Sequence, residues 1–168
     1  MRICQTKSIL GFLLTIIFLN ACSGDKNSNS NAAAPNANQS NAQNVETIVQ
    51  DDLENLAKIV RLPFTPEEVT YSEVNQNDKK LVAVLKFSTA DAAVIAANAE
   101  KYQSPAASDI DAEMWFPPEL IAKSQETGDE VLKGIEYAAN DFLQSPYKSG
   151  KLTRIADTNY FVLELTSF

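Results

Sequence analysis

Apolar residues recur at helical spacing in two stretches of the chain, which predicts two amphipathic helices. In residues 47–60 they fall on one side with acidic residues largely opposite, and Pro63 ends the pattern. The second stretch is rich in alanine, begins at Ser88, a residue that can cap a helix, and runs to about Tyr102. A third, shorter helix is expected to begin at Pro118, because proline is favoured in the first turn.

Alternating apolar and polar residues predict four strands, arranged as two hairpins. Residues 68–74 and 80–88 form the first pair, and residues 151–156 and 160–166 form the second, each pair joined by a short polar turn. Residues 80–88 are apolar on both faces, which is typical of a strand in the middle of a sheet.

Residues 127–144 fit two interpretations. Residues 127–130 form a capping-box pattern, and the apolar residues behind them recur at helical spacing, so we predict a helix to the end of the stretch. Gly134 weakens that helix, and a strand over residues 135–142 is the alternative. Residues 104–116 are expected to form a loop.

The order of these elements predicts one α+β domain over residues 46–168. We expect a four-stranded, mostly antiparallel sheet built from two hairpins, with three to four helices packed on one face. A domain of about 123 residues is long enough to bury a hydrophobic core without disulfides.

The first 21 residues have the parts of an export signal. Arg2 and Lys7 make a short cationic start, and residues 8–19 are almost entirely apolar. Twelve residues of helix rise only ~18 Å, which is less than the ~30 Å hydrocarbon core of a bilayer. We therefore predict a signal peptide over residues 1–21 rather than a permanent membrane span.

The last residues of this stretch are Leu19, Asn20, Ala21 and Cys22. They resemble the lipobox of bacterial lipoproteins, with an aliphatic residue at −3 and a small residue at −1 before the cysteine. The resemblance implies that signal peptidase recognises Leu19, Asn20 and Ala21, that cleavage makes Cys22 the first residue, and that Cys22 carries the acyl chains. An uncleaved anchor and an ordinary secretory signal are the alternatives.

Residues 22–45 comprise this cysteine and a stretch dominated by Asn, Ser and Ala, with no aromatic residue. Such a segment buries too little apolar surface to fold, so we expect a disordered tether with a reach of ~25 Å. Ser23 follows the cysteine, and serine at that position favours the outer membrane if the source is Gram-negative.

The charge balance excludes several classes of function. The chain has 14 Lys and Arg, 22 Asp and Glu and no histidine. Loss of the signal would leave 12 basic residues against 22 acidic ones, a net charge of −10. We therefore expect no binding to nucleic acid, because such affinity depends on cations that displace counterions. The missing histidine removes the commonest general base and metal ligand.

Acidic residues alternate just before the only tryptophan, at Asp109, Asp111 and Glu113. Carboxylates at this spacing can hold Ca²⁺, but an EF-hand loop starting at Asp109 has no glycine at its sixth position and no glutamate at its twelfth. Together with Glu119 they could also supply the two carboxylates of a glycosidase. We expect a solvated acidic loop, with no metal site and no cofactor.

Three aromatic residues are the candidate partner contacts: Trp115, Phe116 and Tyr147. Tryptophan and tyrosine dominate the energetic centres of protein interfaces. The alternative is that Trp115 pins its loop into the core, and that Tyr147 belongs to an ordinary loop over residues 145–150.

These features predict a membrane-anchored lipoprotein of the cell envelope whose acidic domain is a non-catalytic protein-binding module. Its role would be that of an accessory or assembly subunit or of an immunity-type inhibitor. We expect membrane contact through the acyl chains and an envelope protein as partner, basic in charge because opposite charges speed encounter. The first alternative is a small-ligand or glycan-binding lipoprotein, and the second is a carboxylate-based hydrolase.

Overall fold

Seven antiparallel strands form one sheet in the computed structural model, which describes residues 48–75, 78–126 and 128–168. The predicted signal, lipobox and tether lie outside these residues. The order of the strands in the sheet is β1-β2-β3-β7-β6-β5-β4. The strands are β1 (Val49–Gln50), β2 (Glu68–Asn75), β3 (Lys79–Lys86), β4 (Ala106–Asp111), β5 (Val131–Ala138), β6 (Ser149–Ile155) and β7 (Tyr160–Thr166).

Three α-helices complete the fold within the described residues: α1 (Leu53–Ile59), α2 (Thr89–Ala99) and α3 (Pro118–Glu126). A short 3₁₀ turn spans Asn140–Phe142. None of the described helices is long and apolar enough to cross a membrane.

The predicted α+β class and single domain are correct, whereas the four-stranded sheet is wrong. For two of the additional strands the sequence predicts a different secondary structure. β4 lies within the predicted loop, and β5 lies within the stretch predicted as a helix. The apolar residues of that stretch fit either period, and pairing of β5 with both β4 and β6 selects the strand. The alternative strand over residues 135–142 was therefore nearer, although it began too late.

The two predicted amphipathic helices form, but the first is shorter than expected. Residues 49 and 50 pair with β2 as an edge strand, so α1 begins only after Asp52. The Asp52 carboxylate accepts a hydrogen bond from the Asn55 amide at 3.1 Å and caps the helix. The cap predicted for α2 is confirmed, since Ser88 Oγ accepts from the Asp91 amide at 3.1 Å.

Helices cover both faces of the sheet, so the prediction that they pack on one face is wrong. On the first face, Leu56 of α1 and Ile95 of α2 join a core with sheet residues such as Leu163. On the second face, Leu120 of α3 packs in a separate core with sheet residues such as Val162. The physical reason is that the central strands β3 and β7 are apolar on both sides, and each side needs cover.

The sheet curves around its second face. Three strands separate β3 from β4 in the sheet, yet Ile110 of β4 packs in one core with Val84 of β3. Residues of these two strands also line one cavity. The apolar core with α3 fills one part of the concave side, and charged side chains occupy the part beside it.

Thr153, on β6, is completely buried, and its hydroxyl has no hydrogen-bond partner among the described residues. Thr153→Val keeps the shape of the side chain and removes this unsatisfied group. We expect the free energy of unfolding to rise by about 1 kcal/mol, measured by urea denaturation. Thr153→Ser, which keeps the hydroxyl and deletes the methyl group, should lower it. A loss of stability in Thr153→Val would show that the hydroxyl is hydrogen-bonded in solution.

Candidate functional site

Four charged side chains form a chain of ion pairs across the second face, which we call the polar ladder: Lys80, Glu164, Lys151 and Glu136. They come from β3, β7, β6 and β5, which are successive neighbours in the sheet. Glu164 lies at its centre, with carboxylate oxygens 3.8 Å from Lys80 Nζ and 2.9 Å from Lys151 Nζ. Lys151 also lies 3.7 Å from Glu136. Its hydrogen bond to Glu164 raises the pKa of Lys151 despite the opposing effect of burial.

Residues 112–116 form a loop that stands beside the ladder. Phe116 anchors it, since its side chain is only 4% exposed and packs in the core beneath α3. Trp115 is half-buried, and its ring meets that of Phe116 edge to face with centroids 4.7 Å apart. The indole Nε1–H donates to Glu113 Oε2 at 2.6 Å. Packing and this hydrogen bond therefore hold one exposed flank of Trp115 in a fixed orientation.

A groove separates the ladder from this loop, and we call it the Trp115 groove. It consists of two adjoining cavities of ≈ 240 and ≈ 140 Å³ that share Lys80, Val82 and Glu113. Val82 and Val162 give it an aliphatic floor, while the ladder residues Lys80, Lys151 and Glu164 also line it. The larger cavity alone is several times the ~30 Å³ share of a water molecule.

The rim of the groove is acidic. Asp109, Asp111 and Glu113 all line the larger cavity and all are exposed. No lysine or arginine of the described ranges lies within 4.0 Å of their carboxylates. Both lysines of the groove, by contrast, are already paired with Glu164.

Asp109 and Asp111 alternate along β4 with Ser108 and Ile110, whose side chains lie on the second face, so the two aspartates point to the other side of the strand, where Asp109 lies opposite Lys133 of β5. Glu113 lines both cavities and is the acidic side chain that a positively charged group in the groove would meet, with the two aspartates adding negative potential at its edge.

The structure separates the residues that the sequence singled out. Trp115 and Phe116 lie on the second face, whereas Tyr147 packs in the core of the first face. Tyr147 is 3% exposed, and its hydroxyl donates to Glu73 at 2.6 Å. Burial and this hydrogen bond raise the pKa of Tyr147. With Phe116 and Tyr147 buried, Trp115 is the member of the set that a partner can touch.

Glu119 does not join the acidic rim. It lies 3.7 Å from Lys86 in a second polar cluster, where Lys86 also pairs with Glu68 at 2.7 Å. The Tyr160 hydroxyl donates to Glu68 at 2.8 Å, and the hydrogen bonds from Lys86 and Tyr160 lower the pKa of Glu68. The groups of this cluster satisfy one another, which suits a structural role. Nowhere in the described ranges do three or more acidic side chains form a group able to hold a metal ion.

Sequence reasoning found Trp115 and the acidic rim but missed the polar ladder. Its members lie at positions 80, 136, 151 and 164 and meet only through strand pairing. The sequence does contain one sign of the ladder. Polar residues recur at alternate positions of β6 and β7, on the face opposite Leu152 and Leu163.

Comparisons of this chain with protein-family models, with curated proteins and with solved structures found no match. The function is therefore inferred from the sequence and from the Trp115 groove.

Proposed function

We propose that the protein is a lipid-anchored lipoprotein of the cell envelope whose acidic domain is a non-catalytic module that binds another protein. An accessory or assembly subunit and an immunity-type inhibitor are the two roles that this description covers. The lipobox-like residues 19–22 support the anchor, because two or more acyl chains hold a protein firmly at a membrane.

The Trp115 groove is the observation that carries the binding function. It presents a half-buried tryptophan in a fixed orientation, beside an aliphatic floor and an acidic rim. Interfaces have this composition, with an aromatic anchor near the centre and charged residues around it. An anchored domain on a tether of ~25 Å reach could bring this surface to an envelope protein nearby.

The electrostatics of the groove favour binding over proton transfer. Glu164, only 22% exposed in its side chain, is held between the ammonium groups of two lysines. Both oxygens of this carboxylate are therefore engaged within the ladder, whereas a general acid must present its carboxyl group to the substrate. The acidic rim is exposed to water, which suits attraction of a cation.

Binding of a small ligand or a glycan is the second candidate function. The smaller cavity, of ≈ 140 Å³, adjoins the indole of Trp115 directly, and sugar rings or flat ligands could stack there. A carboxylate-based hydrolase would use the same groove, with two of its acidic residues on either side of the substrate.

Crosslinked affinity capture of the full chain from its own cells tests the proposal. We expect one stoichiometric protein partner, and Trp115→Ala should reduce its recovery about tenfold or more because an aromatic anchor is lost. Tyr102→Ala is the matched control, since Tyr102 is 54% exposed and lies beyond the end of α2. Absence of a partner, together with a glycan or small molecule released from the denatured protein, would favour the second candidate.

A further inference from the structure

The electrostatics of the groove select the charge of its occupant. Because the ladder lysines are paired with Glu164, an anionic group entering the groove would have to compete with that carboxylate for them. A cationic group would instead meet Glu113, which has no ion pair within 4.0 Å among the described residues, and the negative potential of Asp109 and Asp111 at the edge of the groove. Charge complementarity therefore favours a positively charged occupant.

The floor and the indole select the shape of that occupant. Val82 and Val162 offer an aliphatic surface, and Trp115 stands at the edge of the same groove. Arginine and lysine side chains match this arrangement, because their methylene stems pack on apolar surface while their cations interact with aromatic faces and carboxylates.

Met114 extends the surface beyond the groove. It is 99% exposed and follows directly after Glu113 in the loop. It lines a further cavity of ≈ 190 Å³ together with Ala112 and Ile121 among others. A small cationic molecule would fill the groove without touching Met114, whereas a protein surface would cover both. Methionine is enriched in protein interfaces and adapts to the shape of a partner.

We infer that the Trp115 groove and Met114 form a docking surface for a basic segment of a protein partner, with an arginine or lysine side chain seated in the groove and an apolar side chain against Met114. This inference rests on the proposed protein-binding function and names the chemistry of the partner. Glu113 contacts the cation, and Trp115 packs along the stem.

The single tryptophan of the chain makes the inference directly testable. The probe is a peptide of alternating arginine and leucine, titrated into the purified full chain while Trp115 fluorescence and binding heat are recorded. We expect a shift in emission and an affinity that falls as salt increases. A peptide with citrulline in place of arginine keeps the shape without the charge, and should bind at least about tenfold more weakly.

Matched variants place the binding site. Glu113→Gln combined with Asp111→Asn should weaken peptide binding about tenfold, and Met114→Ala should weaken it about threefold. Asp51→Asn combined with Glu100→Gln makes the same charge change beside helices of the first face, and should leave binding unchanged. Equal weakening by both double variants would overturn the inference, because it would indicate attraction by net charge alone.

Two further outcomes would also overturn it. The citrulline peptide could bind as well as the arginine peptide, or arginine amide alone could bind as tightly as the peptide, which would indicate a small-molecule site. The proposed function is tested separately, by affinity capture from cells, and it fails if no partner is captured. A partner captured from cells that the groove variants do not release would leave protein binding standing and refute only this surface.

Discussion

Gly134→Ala is expected to lower the free energy of unfolding by about 3 kcal/mol, a large fraction of the stability of a domain of this size. A Cβ atom at this position would lie 2.5 Å from the Arg154 carbonyl oxygen and 2.8 Å from Thr153 Cγ2. The nearest obstacle is backbone of the neighbouring strand β6, so a change of rotamer cannot relieve the clash. Separation of β5 from β6 would also disturb the polar ladder, because Glu136 and Lys151 pair across that boundary.

Two other glycines provide matched comparisons, each through the same substitution. Gly150→Ala should be as costly, since its Cβ would lie 2.3 Å from the Glu164 carbonyl oxygen. Gly128→Ala meets nothing within 4 Å and should cost only about 1 kcal/mol, from the positive φ of 79°. Urea denaturation with a constant m-value measures all three. If Gly134→Ala were no worse than Gly128→Ala, the close approach of β5 and β6 would be refuted.

The segment around Gly134 shows why part of the sheet could not be predicted from the sequence. Glycine disfavours a helix, but the apolar residues around Gly134 repeat at spacings that fit helix and strand alike. The decisive fact is that β5 lies between two other strands, which no local pattern reveals. β4 was hidden for a different reason. This short edge strand contains Asp109 and Asp111 and only one buried side chain, Ile110, so its sequence resembles that of a loop.

Elements whose signals are local were predicted well. The strands over 68–74, 80–88 and 160–166 formed close to their expected bounds, because alternation and flanking turns specify them without reference to distant residues. The helix capped by Ser88 formed for the same reason. The placement of helices on both faces was already implied by the two apolar sides of residues 80–88, although we predicted cover on one side only.

The candidate site also combines features that are local in the sequence with features that depend on distant residues. Trp115 and the acidic residues before it are neighbours in the sequence, so composition alone identified them. The groove beside them depends on curvature of the sheet, which brings Lys80 and Val82 of β3 close to residues of β4. The burial of Tyr147 could not be predicted, because the polar sequence of its loop gives no sign that the ring is buried.

Cys22→Ala is expected to abolish acylation of the protein, and with it the cleaved, lipid-anchored form. By the resemblance to the lipobox, Cys22 is the attachment point of the acyl chains, and the variant has no thiol to modify. One acyl chain gives a membrane binding constant of only ~10⁴ M⁻¹, and a second chain makes the attachment stable. The variant should therefore be found either in the soluble fraction or as an uncleaved precursor that retains residues 1–21.

Cys4→Ala is the matched control, because it removes the other cysteine of the chain from within the expected signal. It should leave membrane fractionation, incorporation of labelled palmitate and the intact mass of the mature protein unchanged, since residue 4 would be removed with the signal. A Cys22→Ala protein that is still processed, labelled and membrane-bound would disprove the anchor. The domain would then be held at the membrane by something other than acyl chains on Cys22.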